Sequence, residues 1–239
     1  MLPLNGSREG LFSAIFPALA RKTVPGRPPV LIPNPFYQAY AAATAASGAE
    51  PVFLPSGGDT GFLPDVDTID TVLLDRSIAF YLCSPSNPQG AVADADYLTR
   101  AIALARRHDF LLFADECYSE IFTDVAPPGA LQTAMSASGS RQCRVLPVRS
   151  PSDPAFPASD RDSLPGDASF MAPFLRFRNV ACPQVPLPIQ HVSVAAWGDE
   201  VHVEAGRALY RRNFELADRL LAGRYGYKRP AGSFFCGST

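Results

Sequence analysis

Apolar positions in the first half of the chain fall in short continuous runs, and polar, Pro- and Gly-rich breaks separate them. "LFSAIFPALA", Leu11 to Ala20, is apolar on nearly all sides and predicts a buried helix carrying one proline. "PPVLIP" predicts a strand, "YQAYAAATAAS" an Ala-rich helix ended by Gly48, and "AEPVFLP" another strand. "SIAFYLC" is a buried strand running into the Pro/Asn/Gly loop "SPSNPQG". In "DADYLTRAIALARRHD" Asp94 is the expected N-cap, with Leu98, Ala101, Ile102 and Ala105 at helical spacing. "FLLFAD" closes the series as a further strand. Strand, crossover helix and strand of these lengths make a βαβ unit, which implies parallel pairing in an α/β fold.

The order breaks between residues 141 and 165, where Pro147, Pro151, Pro154, Pro157 and Pro165 interrupt any period of 2 or 3.6. Periodicity returns at "GDASFMAPFLRFRNVA" and continues through "LPIQHVSVAAWGDEVHVEAGRALYRRNFELADRLLAG", read as long amphipathic helices.

Composition narrows the classes. With 239 residues, 47% of them hydrophobic, and a formal charge of −2, the chain can bury a sizeable core and offers no basic field for nucleic acid or an anionic membrane. No apolar run reaches membrane-spanning length, and the start lacks a secretory signal pattern. The five cysteines are scattered, without paired metal spacing, and fit reduced thiols in a cytoplasm. No metal site is expected.

Three stretches could carry chemistry together: "NPFYQAY", "CSPSNPQG" and "FADECYSEIF". In an open α/β sheet, ligands bind beyond the carboxyl ends of the strands. Asn87 lies just past one strand and Asp115 at the end of the next, with Tyr118 following, so all three should face one crevice. A carboxylate, an amide and a phenol beside the aromatic face of Tyr37 suit a flat, nitrogen-containing, hydroxylated ring. Gly6, Ser7 and Arg8, ahead of an apolar helix, could offer backbone N–H groups to a phosphate. As a set they suit pyridoxal 5′-phosphate. Taken singly each has a plainer reading: Asp115 as a loop cap, Asn87 as a turn residue, Tyr37 as a packing aromatic, Gly6 and Ser7 as capping chemistry. Cys117 reads as a small buried residue, and His108, His191 and His202 show no metal or triad spacing.

The chain resembles the class I/II aminotransferases of fold type I, and within them the succinyldiaminopimelate transaminases. The resemblance rests on "LPLNGSREGLF", "IPNPFYQAYAAA", "CSPSNPQGAV", "LLFADECYSEIF", "PLPIQHVSVAAWGDE" and "RALYRRNFE". It implies a large domain with a mostly parallel sheet and helices on both faces over residues 1–195, and the start of a small C-terminal domain over 196–239. It also implies that Gly6, Ser7 and Arg8 form the phosphate turn and that Tyr37 stacks on the cofactor ring. By the same resemblance Asn87 and Tyr118 contact the ring hydroxyl and Asp115 the ring nitrogen. The implied substrates are an amino donor such as glutamate and a keto acid, an N-succinyl amino-keto pimelate, and the implied assembly is a homodimer. Another fold type I branch, a lyase or decarboxylase, is the competing activity, against which "NPFYQAY" and "AAWGDE" argue.

One departure bears on mechanism. The family holds its cofactor through a lysine a few tens of residues after the "DECY" tyrosine, whereas this chain has only Lys22 and Lys228. A catalytic lysine is therefore expected to be missing, and residues 141–165 to be disordered or aberrant. The resemblance further implies a copy truncated at both ends. One permitted coding of Val148 to Pro165, read from its third base, spells SLSKRSGLPGLRSGFVA, the family's lysine and arginine motifs. A coding of "FCGST" shifted the same way gives LWLD. A frameshift is thus the expected origin of both stretches. In-frame, the Pro-rich sequence is expected not to pair within a parallel sheet.

Overall fold

The computed structural model describes residues 2–136, 144–149 and 163–235. In chain order the elements are β1 (Leu2–Pro3), α1 (Ser7–Ser13), α2 (Ile15–Leu19), β2 (Pro29–Asn34), α3 (Gln38–Ala46) and β3 (Glu50–Pro55). There follow α4 (Thr71–Arg76), β4 (Ala79–Cys83), α5 (Ala95–Arg107), β5 (Leu111–Asp115), α6 (Ala130–Ser136) and β6 (Val145–Val148). The remaining elements are β7 (Ser163–Leu164), α7 (Ala168–Ala181), α8 (Leu187–Trp197) and α9 (Glu200–Leu221).

Five strands form one all-parallel sheet in the order β3-β2-β4-β5-β6. β4, β5 and β6 are buried at every position, as a parallel sheet covered on both faces requires. Alternate side chains feed two cores. Val30, Ile32, Ala79, Tyr81, Leu111, Phe113, Leu146 and Val148 point into a cluster with Leu11, Ile15, Tyr40, Phe170 and Phe174. Leu31, Phe80, Leu82, Leu112, Ala114 and Val145 point into the other, with Leu74, Leu98, Ile102 and Ala134. The α/β expectation with helices on both faces holds.

The chain winds first from β2 out to β3, then crosses back to β4 and on to β5 and β6. The order therefore reverses between β2 and β4, and a crevice opens there beyond the strands' carboxyl ends.

Asp94 caps α5 as expected, its Oδ1 accepting from the Tyr97 N–H at 2.7 Å. Three sequence expectations need correction. The helix over Leu11–Ala20 begins earlier, at Ser7, and divides at Ala14 into α1 and α2. α8 is not amphipathic: its apolar side chains are spread around the helix and none of its residues is buried. And part of the segment read as shapeless does pair. β6 runs parallel to β5, with Leu112 opposite Val145 and Asp115 opposite Val148. Four residues are too few to show a period, but "VLPV" is apolar throughout and buried on both faces. The carbonyls of Arg144 and Val148 accept from Leu112 and Glu116, so by alternation the nitrogen of Pro147 faces away from β5. Among the described residues β6 is the outermost strand of the sheet, and there proline costs no ladder hydrogen bond. Ser163 and Leu164 pair antiparallel with β1. Residues 141–143 and 150–162 lie outside the described residues.

Candidate functional site

The carboxyl ends of β2, β4 and β5 carry the predicted residues to one place. After β2 the chain turns through Pro35 and Phe36 into Tyr37, the N-cap residue of α3. After β4, the loop from Ser84 to Gly90 presents Asn87; Ser84 and Ser86 tie it down by accepting from the N–H groups of Ala93 and Ala91 at 2.9 Å. β5 ends on Asp115 itself, and Tyr118 follows in the next turn.

Asp115 is 5% exposed. Its Oδ2 accepts from the Tyr40 hydroxyl at 2.5 Å and its Oδ1 from the Cys117 N–H at 3.3 Å. Among the described residues it has no cationic partner. Burial pushes its carboxyl above the ordinary range, and the donors from Cys117 and Tyr40 offset part of that shift. A buried carboxylate with two neutral donors and no counter-charge is poised for a cation, such as a protonated ring nitrogen.

Asn87 Nδ2 donates to the Tyr118 hydroxyl at 3.3 Å, which joins the two groups assigned to one ring oxygen. Burial raises the Tyr118 phenol well above the usual tyrosine value; Asn87 works against this and the charge of Asp115 adds to it. Tyr118 therefore stays a hydrogen-bond donor at neutral pH.

Tyr37 stands edge-on to Tyr40, ring centres 5.7 Å apart, and its hydroxyl accepts from Arg8 Nε at 2.6 Å. Arg8 thus links the start of α1 to the crevice. Gly6, at φ 97°, is the N-cap of α1, a backbone setting that a side chain would strain. Gly6, Ser7, Arg8 and Tyr37 line an open cleft of about 660 Å³ with Cys182 and Pro183. Tyr37, Tyr40, Cys83 and Asn87 share the narrower hollow beside it. All seven predicted positions gather at one end of the sheet.

Tyr40 is the residue that the sequence reading passed over. It is fully buried, stacks on Tyr81 at 4.5 Å, and makes the shortest contact to Asp115. "NPFYQAY" held the signal: three residues after Tyr37, Tyr40 sits one helical turn along the same face of α3.

Lys22 does not reach this end. Lys22 Nζ donates to the carbonyls of Ser77 and His108, which precede β4 and β5, at the sheet's amino edge. Lys228 is exposed on the neighbouring cleft, of about 400 Å³, which shares Pro35, Phe62 and Gln89 with the narrower hollow, and among the described residues it makes no hydrogen bond to a predicted site residue. The donor set therefore fits the ring, hydroxyl and phosphate of pyridoxal phosphate, but offers no covalent anchor among the described residues. No group of three or more His, Cys, Asp or Glu suited to a metal occurs among them. No described helix is long and apolar enough to cross a membrane.

Residues 2–143 match the family described as aminotransferase class I and II. The LL-diaminopimelate aminotransferase of Dehalococcoides mccartyi is 29% identical over 223 residues, covering 92% of this chain and 54% of its own. The alanine aminotransferase of Mycobacterium tuberculosis is 38% identical over 97 residues, covering 41% of this chain and 23% of its own. A solved aminotransferase from Neisseria meningitidis superposes with a TM-score of 0.88 at 36% identity, covering 98% of this chain and 59% of that one. The chain thus spans about half the length, or less, of the curated relatives it is compared with here.

Proposed function

The chain belongs to the class I and II aminotransferases, a family that works with pyridoxal phosphate, and on that premise we propose that its strand-end crevice is the family's cofactor site, deprived of its lysine. The observation that carries this is Asp115, a carboxylate 5% exposed whose donors are neutral. When bound, pyridoxal phosphate supplies an electron sink for the bond broken at the amino acid's α-carbon. Asp115 keeps a proton on the ring nitrogen. Asn87 Nδ2 and the Tyr118 hydroxyl donate to the ring oxygen, Tyr37 covers one ring face, and Gly6, Ser7 and Arg8 meet the phosphate. Residues 1–195 make up the cofactor domain and 196–239 the start of the smaller one.

The substrates are an amino donor and a keto acid, and we place the activity of the intact lineage in diaminopimelate synthesis, with an N-succinyl amino-keto pimelate as acceptor. A relative named for LL-diaminopimelate, matched across 92% of this chain, supports that branch. A homodimer is the proposed assembly.

The second reading, a non-catalytic chain that at most holds cofactor, is favoured by Lys22 at the sheet's amino edge and by Lys228, exposed on the neighbouring cleft without a hydrogen bond to the site residues. The frameshift reconciles the two. The off-frame lysine motif starts at Val148, whose partner in the sheet register is Asp115. A lysine a few residues further on would emerge at the carboxyl end of β6, beside the crevice. Nucleotide sequence across codons 140–166 decides the matter: coding that does not spell the motif off-frame refutes the frameshift.

Cofactor titration tests the site itself. The purified chain is expected to bind pyridoxal 5′-phosphate reversibly, with Asp115→Ala weakening it at least about ten-fold, as loss of a charge-assisted contact implies. Borohydride is expected to fix no cofactor on Lys22 or Lys228. Binding equal in wild type and Asp115→Ala would sink the assignment.

A further inference from the structure

The loops that carry Asn87 and Tyr118 leave the neighbouring strands β4 and β5, and a third, distant stretch runs between their outer parts. Gly232 N–H donates to the Gly90 carbonyl at 3.0 Å, on the loop that carries Asn87. On the other side Thr123 N–H donates to the Ala231 carbonyl at 3.0 Å and Ser233 N–H to the Ile121 carbonyl at 2.9 Å, on the turn that follows Tyr118. The Thr123 hydroxyl adds a bond to the Pro230 carbonyl at 2.8 Å. Phe234 and Phe235 then stand edge-on to the Tyr118 ring, 5.2 and 6.1 Å between centres.

Three backbones meet here at a spacing that excludes side chains. A Cβ on Gly232 would lie 2.6 Å from Cγ of Pro85, and one on Gly90, which sits at φ +70°, 2.5 Å from the Gly232 carbonyl oxygen. The turn after Tyr118 is held from α9 as well: Arg207 pairs with Glu120 and lies 5.0 Å over the Phe122 ring.

We propose that residues 230–235 are a positioning strap for the cofactor pocket: they set the distance between the Asn87 and Tyr118 loops and so form the two-donor site for the ring oxygen. Phe234 and Gly232 are positioning residues, acting through Tyr118 and Asn87. The proposal rests on the cofactor reading for its consequence but not for its geometry, and two readouts on the full chain keep them apart. The first needs no cofactor: the side-chain amide resonances of Asn87, assigned by comparison with Asn87→Ala, are expected to move toward free-amide positions in Gly232→Ala and in Phe234→Leu. The second is equilibrium binding of pyridoxal 5′-phosphate. Phe234→Leu is expected to weaken it roughly two- to ten-fold, the range of an aromatic edge contact. In an Asn87→Ala background the same change is expected to cost under about two-fold, because the pair it positions is gone.

Phe234→Leu keeps most of the apolar contact and serves if Gly232→Ala unfolds the chain. Unmoved Asn87 resonances, or an equal penalty in both backgrounds, overturn the strap. If the wild type binds no pyridoxal 5′-phosphate, the cofactor reading falls and the resonances alone decide the strap.

Discussion

Tyr40 and Asp115 pose a problem in miniature, since a buried phenol donates to a buried carboxylate that has no cation beside it. The hydrogen bond favours the ionised carboxylate, so Tyr40→Phe should raise the Asp115 titration further. Carboxyl ¹³C shifts against pH would show it, and a titration moved downward or not at all would contradict it. The same variant should cost about 1–2 kcal/mol of stability at neutral pH, read by denaturant unfolding. The pH dependence has a definite sign. The folded Asp115 holds its proton more tightly than the unfolded residue does. Its contribution to stability is therefore greatest in acid, and falls as pH rises from the ordinary carboxylate value through the raised one. Asp115→Asn should flatten that part of the pH–stability profile. Ser233 offers a contrast: fully buried, its hydroxyl finds no partner among the described residues. Ser233→Ala should be neutral or stabilising by about 1 kcal/mol, and a clear loss in thermal unfolding would reveal a partner. Asn87, Asp115 and Tyr118 stood out in the sequence because they lie at or just past the ends of apolar strand runs, and Gly6, Ser7 and Arg8 because they precede an apolar helix. Tyr40 did not, because a tyrosine inside an Ala-rich helix reads as packing until the sheet brings Asp115 against it.

Strands β2 to β5 and helices α3 and α5 were readable from their runs, breaks and caps, since each apolar run is long enough to be counted. β6 escaped: four residues with a central proline give no period, and only the neighbour strand supplies the reason they pair. If β6 belongs to the native core, Leu146→Ala, at a position with no solvent exposure, should cost about 2–5 kcal/mol. A loss under about 0.5 kcal/mol would mean that the strand is not formed in solution. Buried Glu116 adds a lock at the same place, accepting from Arg149 Nε at 2.5 Å and from the Ala130 N–H at 2.6 Å. Strand β6 and its anchoring arginine thus bring the chain up to the crevice, although no lysine follows.

The molecule as assembled leaves one helix largely uncovered. In α8, Leu187 is 69% exposed and Val194 74%, so much of the helix's apolar surface faces solvent. This supports the homodimer reading, and sedimentation equilibrium should find association at micromolar concentration that Val194→Glu abolishes. A wild type that remains monomeric at that concentration would refute it. Among the described residues the parallel sheet ends on β6, a short strand whose proline turns a nitrogen without hydrogen away from β5. Gly166 lies against the Val145 carbonyl on that same side, so a missing donor and a close-packed backbone both stand in the way of a further extended peptide.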